Sequence, residues 1–216
     1  SNWSIVISFF AIAVLYASVG FGGGSSYLAI LALTAIPYTE FRAIALICNI
    51  VVVSNSCVLY YKSNLYNFKK TIPLVTTSIP LAFIGGYLRI EEELFFILLG
   101  LTLFIAGLLM LTQQNNTNEA ATIHMPFLKN SVFGGAIGFL SGLVGIGGGI
   151  FLAPLLHLSQ WDTSKKITAA SALFILVNSI SGLGGQLTHP NFSINYSLTF
   201  IPALSVFVGG QIGTRI

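Results

Sequence analysis

The chain has 216 residues, of which 55% are apolar and 7% charged, and its net charge is +3. Soluble domains carry about 25% charged residues, so this composition cannot build a soluble surface, and so few basic residues give nucleic-acid binding no support. It is the composition of an all-α membrane protein, in which a crossing helix needs about 20 largely apolar residues.

The first apolar stretch, Trp3 to Ile36, is too long for one crossing. A continuous helix of that length would run roughly 50 Å at 1.5 Å per residue, against a hydrocarbon core of roughly 30 Å. The glycine string Val19 to Gly24 (VGFGGG) interrupts it, which predicts two short helices meeting there. Charge-free spans follow at Ala43 to Tyr61, Thr71 to Leu88 and Leu94 to Thr112, closing a first repeat over 1–112. A polar linker occupies 113–130. The second repeat, 131–216, opens with another overlong stretch, Ser131 to Trp161, broken by Val144 to Gly149 (VGIGGG), and continues with spans Ile167 to Thr188 and Ile194 to Gly213. A counterpart of Leu94 to Thr112 is missing at the end, so the last helix of the second repeat is expected to be absent from this sequence.

Positive charges decide how the interrupted stretches cross. If each folds as a hairpin that leaves on the side it entered, Lys62, Lys69, Lys70, Lys129, Lys165, Lys166 and Arg215 share one side and only Arg42 and Arg89 lie opposite. Single crossings would scatter the charges almost evenly. The positive-inside rule favours re-entrant hairpins with the lysine-rich loops, and the linker, in the cytoplasm. A returning hairpin plus three spans crosses an odd number of times, so the second copy is inverted. The fold class expected is an inverted-repeat bundle of transmembrane helices with two re-entrant hairpins, the plan of secondary transporters. Phe68 and Gly85, Gly86 recur 124 residues later as Phe192 and Gly209, Gly210.

Opened backbone at bilayer depth survives where protein buries it or where it lines a polar cavity. A helix starting at a glycine string offers unpaired N–H groups, the positive end of its dipole and close approach. Gly22, Gly23, Gly24, Ser25 and Ser26 in the first hairpin, with Gly147, Gly148 and Gly149 in the second, are therefore the candidate binding residues for a small anion. The alternative for these glycines is close helix packing. Asn55, seven residues after Cys48, and Asn178, seven after Ser171, add amide groups on repeat-matched helix faces. Interhelical hydrogen bonding explains the two asparagines equally well, and for Asn49, Ser54, Ser171 and Gln186 the structural role is preferred. His157 is the titratable group at depth that could carry a coupling proton, set against a packing role. Arg42 opens the helix after the first hairpin and is a candidate for gating or for drawing in anions, set against interfacial anchoring.

Enzyme chemistry finds no footing. Cys48 and Cys57 are out of phase on one helix and read as free buried thiols. His124, His157 and His189 have no ligand spacing, and no P-loop lysine follows either glycine string. No cofactor or metal is expected, and apolar outer faces, present on any membrane helix, do not argue for an oligomer.

The strings GFGGGSSYLAILAL (20–33) and GLVGIGGGIFLAPLLHL (142–158), one per half with short spans after each, resemble the TauE/SafE sulfite exporter family. The resemblance implies an integral permease of the bacterial inner membrane that moves sulfite or an organosulfonate by alternating access. An anion channel, or a receptor subunit that binds without transport, is the alternative.

Overall fold

A computed structural model describes residues 2–34, 36–112, 127–190, 192 and 196–215. Among these it has nine helices and no strand: α1 (Asn2–Ser18), α2 (Gly24–Leu31), α3 (Tyr38–Lys62), α4 (Phe68–Tyr87), α5 (Glu92–Thr112), α6 (Phe127–Val144), α7 (Gly149–Leu158), α8 (Ser164–Leu187) and α9 (Tyr196–Gly213). Both overlong stretches break at their glycine strings. The linker expected at 113–130 falls mostly on residues outside those described, although 127–130 belong to α6.

Helix starts differ from the sequence expectation. α3 begins at Tyr38, directly after Pro37, whose fixed φ suits the entry to a helix. Glu40 then sits in the first turn and Arg42 inside the helix, so the span expected from Ala43 is longer and carries charge. Glu92 and Glu93 likewise occupy the first turn of α5, where the helix dipole favours acids. By length and composition α3, α5 and α8 can each cross a membrane.

Within each glycine-centred pair the start of the second helix lies against the first. Phe9 on α1 stacks with Tyr27 on α2 at 4.7 Å, and the Tyr16 and Ser26 hydroxyls are 2.9 Å apart. In the second pair Ile137 and Ser141 of α6 lie against Gly148, at the start of α7.

Small residues set how the remaining helices run. A Cβ added at Gly134, Gly138 or Gly142 on α6 would strike the backbone of Leu74, Ser78 or Ala82 on α4 in turn. The matched residues climb together, so α4 and α6 are parallel and in backbone contact, as small-residue faces allow. Ser205 donates to the Val6 carbonyl at 2.8 Å, while Gly209 and Gly213 abut Phe10 and Val14, which makes α1 and α9 parallel. Ser181 donates to Ile79 O at 2.6 Å and Gly185 abuts Phe83, aligning α8 with α4. α3 follows α9, since Val52 faces Gly210 and Asn55 bonds Thr214. α3 runs against α8: Leu46 meets Gly182, while Tyr60 and Thr168 meet at Gly20. One set of helices, α1, α3 and α9, thus opposes another, α4, α6 and α8.

Asp162, between α7 and α8, ties these elements to the start of α4. Its carboxylate accepts from Asn67 Nδ2 at 3.0 Å and from the Thr163 N–H at 2.9 Å. It also pairs with Lys70 at 3.4 Å and Lys166 at 3.7 Å. Burial opposes its charge, but these donors and cations prevail and hold its pKa below the ordinary 3.8.

Two outcomes follow. Gly138→Leu drives a side chain into Ser78, whose backbone and Cβ lie 2.6–2.7 Å from the added Cβ position, and should cost about 1–3 kcal/mol; Gly107→Leu, with nothing within 4 Å, should leave the melting temperature in detergent nearly unchanged. Equal losses would contradict the packing. Because the folded-state pKa of Asp162 is depressed, its contribution is present above the ordinary carboxyl value and lost as pH falls below it. The melting-temperature gap between wild type and Asp162→Asn should therefore be present at pH 7 and close below about pH 4; a gap constant with pH would contradict the clamp.

Candidate functional site

Each glycine string makes the same backbone excursion. Gly20 and Gly145, then Gly23 and Gly148, have positive φ between 80° and 89°. At Gly23 (φ 80°) and Gly148 (φ 83°) the left-handed residue is the N-cap from which α2 and α7 start, and no side chain caps either helix. A Cβ there would be strained, which costs about 1–2 kcal/mol in this region. The first amides of α2 and α7 have no acceptor within their own helix and carry the positive dipole ends.

The two tips meet on one side chain. Asn49, fully buried on α3, donates through Nδ2 to the Ile146 carbonyl at 3.0 Å. A Cβ placed on Gly22 or Gly24 would collide with the Asn49 amide, and one on Gly147 would come within 2.8 Å of it. Gly24 also faces the Ile146 carbonyl, and Gly149 lies near Phe21 of the first string. The absence of side chains on these glycines is what allows the tips to close on Asn49. On the α8 side, Ser179 Oγ lies 3.0 Å from the Cβ position of Gly147.

Polar groups around this junction are buried and incompletely used. Asn49 Oδ1, Ser179 Oγ, Ser141 Oγ and Tyr27 OH make no hydrogen bond. Buried polar atoms in a folded protein are nearly all paired, and leaving one unpaired costs about 1–3 kcal/mol. Such a group of donors and acceptors is suited to a polar guest.

The candidate residues divide between the junction and other roles. Gly22, Gly23, Gly24, Gly147, Gly148 and Gly149 come together at the tips. Ser25 is buried in the first turn of α2, whereas the Ser26 hydroxyl is engaged with Tyr16. Asn55 points away, donating to Thr214 at 2.7 Å and Gln211 at 3.4 Å on α9. Asn178, next to Ser179, is fully buried with both amide atoms unpartnered. His157 is half-buried near the end of α7. Arg42 is fully buried, donating to the carbonyls of Gly142 at 3.0 Å, Gly85 at 3.3 Å and Leu88 at 3.5 Å.

Asn49 is the residue that sequence reasoning placed on the structural side. Its repeat position in the second half holds Ala172, so matching the halves directs attention to Asn55 and Asn178 instead. A usable signal was the pair Ser56 and Ser179, 123 residues apart, both buried with unpartnered hydroxyls. A cavity of about 240 Å³ lies elsewhere, between α6 and α7, with Leu74, Phe133, Ile137, Leu152 and Leu156 among its walls. Its lining is mainly apolar, unlike the junction. Among the described residues no group of three or more His, Cys, Asp or Glu could hold a metal ion, and Cys48 and Cys57 are free and buried.

Comparison with known proteins gives a consistent set of relatives. Residues 5–216 match the family described as "Sulfite exporter TauE/SafE". The chain is 30% identical to a probable membrane transporter protein of Sinorhizobium fredii, over 98% of this chain and 86% of the relative. It is 27% identical to a probable membrane transporter protein of Methanocaldococcus jannaschii, over 69% of this chain and 59% of the relative. It is 24% identical to one of Bacillus subtilis, over 75% and 66%, so the matches span less than two thirds of those two relatives. No solved structure matches significantly.

Proposed function

The chain belongs to the sulfite exporter TauE/SafE family, and we propose that it is a secondary transporter of a small anion, sulfite or an organosulfonate. The observation that carries this reading is the convergence of both glycine tips on Asn49. Two uncapped helix N-termini, presented by α2 and α7 from different halves of the chain, can then hold one oxyanion without any buried cation of their own. Their amides bind through the charge on oxygen, so sulfur oxyanions of similar size compete for the same site.

The halves are read as inverted repeats with re-entrant hairpins. Support comes from the running senses: α1, α3 and α9 oppose α6, α8 and α4, so each helix of the first half opposes its counterpart in the second. α2 has eight residues, about 12 Å of helix, too short to cross a bilayer, and it turns back on α1. With 1–112 and 131–216 as the repeats, α4 and α9 count as crossings beside α3, α5 and α8. The lysine-rich ends face the cytoplasm in this topology.

Alternating access is proposed to work through this junction. While the Asn49 amide holds Ile146 and both tips are seated, neither side reaches the other. Release of one tip opens the pocket to one face, and exchange of the released tip moves the anion across. His157 on α7 is the group proposed to carry a coupling proton.

Proteoliposome uptake tests the reading across sulfite, sulfate, thiosulfate, sulfoacetate and taurine. Saturable, gradient-coupled uptake of at least one sulfur anion is expected, reduced about tenfold or more in Asn49→Leu and Gly24→Val, which fill the junction and remove a charge-assisted contact. Non-saturating flux would identify a channel, and flux unchanged in both variants would overturn the proposed pocket.

A further inference from the structure

A second concentration of polar groups lies beside the tips, and it is cationic. Arg42 is fully buried at the start of α3, with its backbone against Gly145 at the tip of the second hairpin. Its guanidinium reaches the carbonyl of Leu88, the residue before Arg89, at 3.5 Å. Arg42 Nε, Arg89 Nε and one Arg89 terminal nitrogen are buried with no hydrogen-bond partner. Among the described residues the ion pairs are those of Asp162 with Lys70 and Lys166. Glu91, Glu92 and Glu93 follow Arg89 in the chain but stand exposed, outside ion-pair reach of either arginine.

Among the described residues no carboxylate is paired with Arg42 or Arg89. The acceptors of Arg42 are the last carbonyls of α4 and α6, the negative ends of two helix dipoles, each worth roughly half an elementary charge. The Arg42 guanidinium is thereby faced by about one negative charge of dipole origin, while three guanidinium nitrogens, Arg42 Nε and two of Arg89, keep N–H groups without a partner. An unpaired charge removed from water is costly. On the opposite face Asp162 pairs with Lys70 and Lys166, and Lys165, which takes the place of Arg42 in the second repeat, is exposed.

We propose that Arg42 and Arg89 form a second oxyanion site, beside the second hairpin tip and on one face of the bundle only, taking a monoanion such as a sulfonate or a phosphodiester. A guest with three oxygens on one centre accepts from these N–H groups and supplies the counter-ion that no paired carboxylate provides. The assignment deepens the anion-carrier reading and rests on it for its role, that of an access site that gathers anion on the α4–α5 side before it reaches Asn49. The recognition chemistry is shared by free sulfonates and by lipid phosphodiester headgroups.

Thermal stabilisation of the purified full chain in a neutral detergent separates the sources. Sodium methanesulfonate and, in a separate arm, phosphatidylglycerol are titrated against sodium chloride at equal ionic strength, with wild type, Arg89→Gln and Arg89→Lys. Stabilisation by at least one probe is expected, with half-saturation raised about tenfold or more in Arg89→Gln and partly restored in Arg89→Lys; the responding probe identifies the source. Absence of stabilisation by both probes, or a response unaltered in Arg89→Gln, would overturn the site. This readout does not depend on transport, so inactive proteoliposomes with an Arg89-dependent shift would count against the carrier reading while supporting the site.

Discussion

An apolar chain that opens its own backbone has to satisfy the opened groups from within the protein, because lipid offers no hydrogen bonds. Both openings come together at one place in the structure. Two left-handed glycine turns, Gly23 and Gly148, release helices α2 and α7, and the buried Asn49 amide packs against Gly22 and Gly24 of the first string while donating to the Ile146 carbonyl of the second. The missing Cβ atoms matter twice, first for the backbone conformation and then for the close approach of the tips.

The surrounding packing serves this junction. α6 lies against α4 through Gly134, Gly138 and Gly142, and α1 lies against α9 through Gly209 and Gly213. The first helix of each glycine-centred pair is thereby held on a helix of the other half. Asp162 supplies a polar counterpart at one end of the bundle, joining α4 to the link before α8 through Asn67 and Lys70.

Much of this was legible because composition left few readings. With so few charges, a stretch such as Trp3 to Ile36 had to be membrane-embedded and too long for one helix, and the glycine strings marked the only breaks. Asn49 was hidden for a physical reason: the junction is asymmetric, with an amide on α3 and an alanine, Ala172, at the equivalent place on α8. Repeat matching selects symmetric pairs and so led to Asn55, which bonds α9 instead. Arg42, set between gating and interfacial anchoring by its place at a helix start, lies deeper in its helix than expected because apolar runs locate a helix by its uncharged portion. Pro37 starts α3 earlier, and the carbonyl ends of α4 and α6 then provide a buried seat for the guanidinium, which hydropathy alone does not reveal.

The central claim is that both tips and Asn49 share one anion. Crystals grown with selenite, whose heavy atom scatters anomalously and whose oxygens mimic those of sulfite, test it directly. The account predicts an anomalous peak between Gly24 and Gly147, within hydrogen-bonding reach of the Asn49 amide. A bound selenite found only elsewhere, with the tips closed on Asn49 as before, would contradict it.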